Sequence, residues 1–170
     1  MDRPTLSARI ERLEAAEQIR TLVGRYGAAV DAKDAAGIAG LFTPRAVFAL
    51  PDGEIHGRER IEGFYRERLA KYRFTFHYTH DVVLTHLDQD HAEGRVTAHA
   101  EHEVDGECLV AALSYHDSYA RVDGEWRFAA RRMEFHYFLP ASDFAGAFAG
   151  GRIVRRPTEV SDHLLAREGD

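Results

Sequence analysis

After Tyr72 the apolar residues of this chain stop recurring every third or fourth position and begin to recur every second one. That change of period constrains the fold more than any other feature, because alternation of this kind is the mark of a strand with one buried face. Four long strands are expected, at about residues 73–87, 91–104, 107–121 and 125–138. Asp88-Gln-Asp90 separates the first two, Asp105-Gly106 the next two, and Asp123-Gly124 the last pair. Asp-Gly between β-formers is a strong hairpin signal, since the left-handed conformations of the tightest turns suit those two residues. The C-terminal half is therefore expected to be a meander of antiparallel strands.

The first half reads as helices. Leu6, Ile10, Leu13, Ile19, Leu22 and Val23 form an apolar stripe over residues 5–31, as one helix or two in line. Asp34 starts a shorter helix through Leu41-Phe42, which Thr43-Pro44 stops. Residues 46–50 and 54–56 flank Pro51-Asp-Gly53 as a hairpin. From Gly57 a further helix carries Ile61, Phe64, Tyr65 and Leu69. Helices, hairpin, helix and meander make an α+β fold, in which a curved sheet wraps its inner face around the helices and leaves a conical hollow fit for a ligand. Residues 1–140 are expected to form this domain. Residues 141–170 would be an extension, flexible or packed on the barrel or on a neighbouring subunit.

Composition narrows the function. The 170 residues are 45% hydrophobic and 29% charged, an ordinary globular mixture. A net charge of −6 argues against a nucleic-acid surface, which needs clustered Lys and Arg; Arg152, Arg155 and Arg156 read as solvated tail. No apolar run is long enough for a membrane span, and Met-Asp-Arg-Pro-Thr-Leu lacks the pattern of a signal peptide. Cys108, the single cysteine, has no disulfide partner in the chain, fits a reducing cytoplasm, and sits in a strand pattern as a packed residue would. A cytoplasmic protein acting on a small molecule or a protein partner is expected.

Asp31 is the residue to explain. It follows a run of small apolar residues and lies close to the buried stripe, eight residues after Val23 and five after Tyr26. A carboxylate there needs a partner, and the chain offers ten histidines; the alternative is that Asp31 caps the next helix. In 92–104, His102 is the one polar side chain on a face of Ala92, Gly94, Val96, Ala98 and Ala100, whereas His99 lies with the charges. In 74–86 simple alternation turns Phe74, Phe76, Tyr78 and His80 inward, and a single β-bulge would exchange His80 for His77. Both faces of 125–138 are mixed, which suggests that one packs on another subunit. His77-x-x-His80 and His99-x-x-His102 are not metal chelators on a strand, where i and i+3 point apart. No phosphate loop or nucleophile turn is present, so neither metal nor cofactor is expected.

Several motifs together resemble the SnoaL-like branch of the nuclear transport factor 2 superfamily over about residues 10–140. They are Tyr26-(x)4-Asp31-x-x-Asp34-(x)6-Leu41-Phe42, Gly57-Arg-Glu-Arg-Ile-x-x-Phe64, Thr75-Phe-His77-Tyr78, and Asp123-Gly-Glu-Trp-Arg-Phe128 followed by Phe135-His-Tyr137. The resemblance implies a cone-shaped α+β barrel. The chain is similar in particular to scytalone dehydratase, hexachlorocyclohexane dehydrochlorinase and bile-acid dehydratase, whose Asp on the first helix and His on the strand after the third helix match Asp31 and His77. A second inner-face His of scytalone dehydratase matches His102. Val30 and Phe48 stand where that dehydratase has tyrosines.

The resemblance thus implies an Asp31–His77 pair removing a proton beside a carbonyl or leaving group, assisted by His102 and by Tyr26 or Tyr115. Candidate substrate contacts are Tyr26, Phe48, Tyr78, His80 and Tyr115. The expected activity is a cofactor-independent lyase or isomerase acting on a small apolar carbonyl, polyketide-like or steroid-like compound, with neither nucleic acid nor membrane as partner. The competing reading is a non-catalytic binding or interaction module of the same fold. A homo-oligomer, dimer or trimer, is expected in either case.

Overall fold

A computed structural model describes residues 4–147. Helix α1 (Leu6–Asp31) starts where the Thr5 hydroxyl accepts the Ala8 amide. Its core-facing stripe begins only at Ile19 and continues through Leu22, Val23, Tyr26 and Val30. Burying each aliphatic member contributes about 1.5–3 kcal/mol. In the first turns Leu6, Ile10 and Leu13 are exposed, although Arg12 donates to the Leu87 carbonyl. Lys33 turns the chain with φ 55°, and the Asp34 carboxylate accepts the Gly37 amide to cap α2 (Ala35–Gly40).

Strand β1 (Phe42–Leu50) begins earlier than expected: Phe42 already pairs with Phe128, and Pro44 sits in the irregular stretch before pairing resumes at Val47. Proline is tolerated there because no ladder hydrogen bond requires its nitrogen. Strand β2 (Gly53–His56) closes the short hairpin, and α3 (Arg58–Ala70) follows Gly57, whose φ of 89° favours glycine. The meander is β3 (Phe74–Leu87), β4 (His91–Val104), β5 (Glu107–Val122) and β6 (Glu125–Pro140). Asp105-Gly106 and Asp123-Gly124 all have positive φ, the conformation of a two-residue hairpin turn.

The six strands form one curled sheet in the order β2-β1-β6-β5-β4-β3, antiparallel except for β1 beside β6. The sheet does not close, so β3 is an edge, and α1 lies against it. A short 3₁₀ turn (Ala141–Asp143) and α4 (Phe144–Ala147) follow β6; the rest of the expected extension lies outside the described residues.

Two strands depart from simple alternation, and both departures bear on the site. In β3 the pairing with β4 skips between Thr79 and Val82. Before that bulge the odd residues Thr75, His77 and Thr79 turn inward; after it Val82 and Leu84 do. The expected inward set of Phe74, Phe76, Tyr78 and His80 is therefore wrong. Phe74, Phe76 and Tyr78 are 37, 50 and 50% exposed on the outer face. In β6 the register shifts twice, so Trp126 and Phe128, then Arg131, Met133 and Phe135, and finally Phe138 face inward. The mixed faces of that strand thus come from bulges. Cys108, expected to be packed, is exposed.

Candidate active site

Asp31 closes α1 and points to the facing edge strand. Its Oδ1 accepts the His77 Nδ1 hydrogen at 2.8 Å, and its Oδ2 accepts the His77 backbone amide at 3.1 Å. The capping alternative falls to Asp34, which serves α2. Two contacts to one residue hold the imidazole at a single angle and fix Nδ1 as the protonated nitrogen. Nε2 carries no hydrogen bond among the described residues, and the His77 side chain, 9% exposed, lines the inner cavity. Gly27 lies against the same residue. A Cβ added there would stand 3.7 Å from the His77 Cβ, ordinary van der Waals contact, so helix and strand are already closely packed.

His102 lies on the neighbouring strand, its ring 5.5 Å from that of His77. It stacks on Tyr72 with ring centres 4.7 Å apart, and its Nδ1 meets the Thr75 hydroxyl at 2.8 Å. Burial above all, with His77 and Arg68 nearby, pushes its pKa from 6.5 down to about 3. It is a neutral imidazole at physiological pH, able to hydrogen-bond an oxygen without charging.

Beneath the dyad is a layer that sequence reasoning missed. Arg131 is fully buried and makes a bidentate pair with Asp117, at 2.8 and 2.7 Å. Its guanidinium sits 4.1–4.2 Å from the ring centres of Tyr26, Tyr115 and Phe128. The Tyr119 hydroxyl donates to Asp117 at 2.8 Å. Tyr26 and Tyr65 are hydrogen-bonded through their hydroxyls, and burial raises both phenols, and that of Tyr115, above the ordinary tyrosine range. The Tyr115 hydroxyl and Arg131 Nη1 have no hydrogen-bond partner among the described residues. A sequence signal existed: Tyr115-x-Asp117-x-Tyr119 puts one carboxylate between two inward rings, which demands a buried cation.

The cavity measures about 50 Å³, room for a few waters. Tyr26, Phe48 and Tyr115 line it, together with His77 and His102; Tyr65, Arg68 and Tyr72 are lining residues that were not anticipated. Tyr78 and His80 do not reach it. His80 instead meets His99 on the outer face, Nε2 to Nδ1 at 2.8 Å, because the bulge after Thr79 leaves it outward. Among the described residues no group of three or more His, Cys, Asp or Glu could hold a metal ion, and no helix is long and apolar enough to cross a membrane.

Helices cupped by a curled sheet, with an Asp–His pair at the hollow, define a class of small α+β proteins built around a ligand cavity. The chain belongs to the SnoaL-like domain family, whose model matches residues 11–132. Its fold is similar to that of a putative scytalone dehydratase from Novosphingobium aromaticivorans (TM-score 0.72, 20% identity, 76% of this chain and 89% of that one). It is similar to a type 2 hexachlorocyclohexane dehydrochlorinase (0.73, 22%, 78% and 92%). A variant of Rv3472, a protein of unknown function from Mycobacterium tuberculosis, is a further likeness (0.72, 25%, 92% and 89%). Comparison with curated proteins gives no significant match.

Proposed function

We propose that this protein is a cofactor-independent lyase in which His77 removes a proton from carbon. The observation that carries this reading is the Asp31–His77 contact, which leaves Nε2 without a protein partner at the cavity wall. Nε2 takes the proton, and Asp31 lies beside the imidazolium that forms. The electron pair of the broken C–H bond is first held as an enolate, with its charge on the carbonyl oxygen, and forms the new C=C bond only as the leaving group goes. The bond to the leaving group on the adjacent carbon then breaks, and the leaving group departs with its electrons. His102, as a neutral donor, and the unpaired Tyr115 hydroxyl are suited to stabilise negative charge on a carbonyl or leaving oxygen. The dehydratase and dehydrochlorinase names among the structural neighbours point the same way.

The narrow cavity favours a small carbonyl compound over a steroid. Within the same reading the protein acts in the cytoplasm as a homo-oligomer, with a second copy covering the exposed Phe74, Phe76 and Tyr78.

The test follows the first chemical step alone. Small ketones, aldehydes and hydroxy acids are incubated with the protein in D₂O, and loss of the α-proton signal is followed by NMR. Exchange that disappears in both Asp31→Asn and His77→Gln supports the reading. Exchange that persists in both, or no exchange with any compound, leaves the non-catalytic binding module instead.

A further inference from the structure

We infer that Arg68 is the anion-recognising residue of this cavity and that the natural ligand carries a carboxylate or a similar acidic group. The inference rests on the cavity being the ligand site, but not on the chemistry proposed for it.

Arg68 lies on α3, one turn after the buried Tyr65 and next to the buried Leu69, and it lines the cavity while remaining half-buried. With Phe64, Met133 and Phe135, also half-buried, it marks the mouth. Its guanidinium carbon sits 5.7 Å above the Phe64 ring centre, and it shares the cavity wall with Tyr72, the ring that stacks on His102. The contact with the Phe64 ring helps to place the cation, but it does not neutralise it.

The neighbouring charges are accounted for differently. Arg66 pairs with Glu62, Arg131 with Asp117, and Asp31 is engaged by His77. Among the described residues Arg68 makes no ion pair, and no Asp or Glu belongs to the cavity lining. His102 is neutral. The lining therefore holds one permanent charge, a cation, in a partly desolvated and mostly apolar wall. A planar guanidinium in that position is suited to a carboxylate, which it can bind bidentately and at low screening. The cavity depth from Arg68 to His77 then sets a ligand with an acid at one end and the reacting carbon at the other.

The test uses crotonate and its neutral isostere crotonamide, two small unsaturated probes of equal shape, titrated into the protein by NMR. The unaltered protein should bind crotonate about tenfold more tightly, as a charge-assisted hydrogen bond implies. Arg68→Met should bring the ratio close to one, Arg68→Lys should retain part of it, and unchanged circular dichroism would show that both variants fold. Equal binding of the two probes by the unaltered protein, binding of neither, or a ratio that Arg68→Met leaves intact would each overturn the inference. Asp31→Asn separates the two proposals: loss of proton exchange with the probe preference retained upholds both, whereas exchange retained in that variant removes the lyase and leaves the anion site.

Discussion

The two long strands β3 and β4 each carry a His-x-x-His sequence, and the sheet sorts those four rings into two cross-strand pairs of opposite character. On the inner face His77 and His102 lie 5.5 Å apart, almost dry, one held by Asp31 and the other by Thr75 and Tyr72. On the outer face the ring centres of His80 and His99 are 5.0 Å apart and their Nε2 and Nδ1 meet at 2.8 Å, in water, with no carboxylate on either ring among the described residues. The closer contact belongs to the outer pair, yet only the inner pair has an orienting acid and a cavity for its free nitrogen to face. Proximity of two imidazoles is thus not the property that matters. What surrounds them decides whether protonation is a matter for solvent or for a bound molecule.

The two faces should differ most in their response to a change at Asp31. Asp31→Asn should lower proton exchange by about 10²–10⁴-fold, whereas His80→Gln and His99→Gln leave it unchanged. If the outer substitutions cost as much, the contrast between the faces is void.

The buried Arg131–Asp117 pair extends the contrast to charges. Removing one partner, in Arg131→Met or Asp117→Asn, should cost about 3–5 kcal/mol in urea unfolding, because an unpaired charge then remains in the core. The exposed Arg66–Glu62 pair should cost less than about 1 kcal/mol by the same measurement.

His102 supplies a pH signature. Its folded pKa of about 3 lies below the ordinary 6.5, so between those values the unfolded chain binds the extra proton. Stability therefore falls as pH drops below about 6.5, with His102 contributing up to about 1.4 kcal/mol per pH unit until about pH 3. His102→Gln should flatten that part of the stability–pH curve. Smallest of all, the His80→Gln/His99→Gln double variant should shift stability by no more than about 0.5 kcal/mol.

The sequence made the local chemistry legible. The change of period after Tyr72, the two Asp-Gly turns, the Asp34 cap and the inward His102 all depend on neighbours within a few residues, and the structure has them where they were expected. The SnoaL-like motifs pointed to the fold and to His77. What escaped was set at long range. The bulges at Thr79–Val82 in β3 and at two places in β6 serve the curl of the whole sheet, and no local signal places them. One skipped residue turned Tyr78 and His80 outward, and another turned Arg131 inward. Arg68 escaped for a different reason: a helix full of Arg and Glu gives no sign of which arginine lacks a partner.

The contact between the His77 amide and Asp31 Oδ2 has a consequence apart from chemistry. β3 is the last strand of an open sheet, and an N–H on its free side is a docking point for any other extended chain. Asp31 occupies that donor. The carboxylate is thus also a guard on the sheet's border, and an alanine there would strip the guard along with the acid, so that precipitation could pass for inactivity. Asparagine keeps an oxygen at the post.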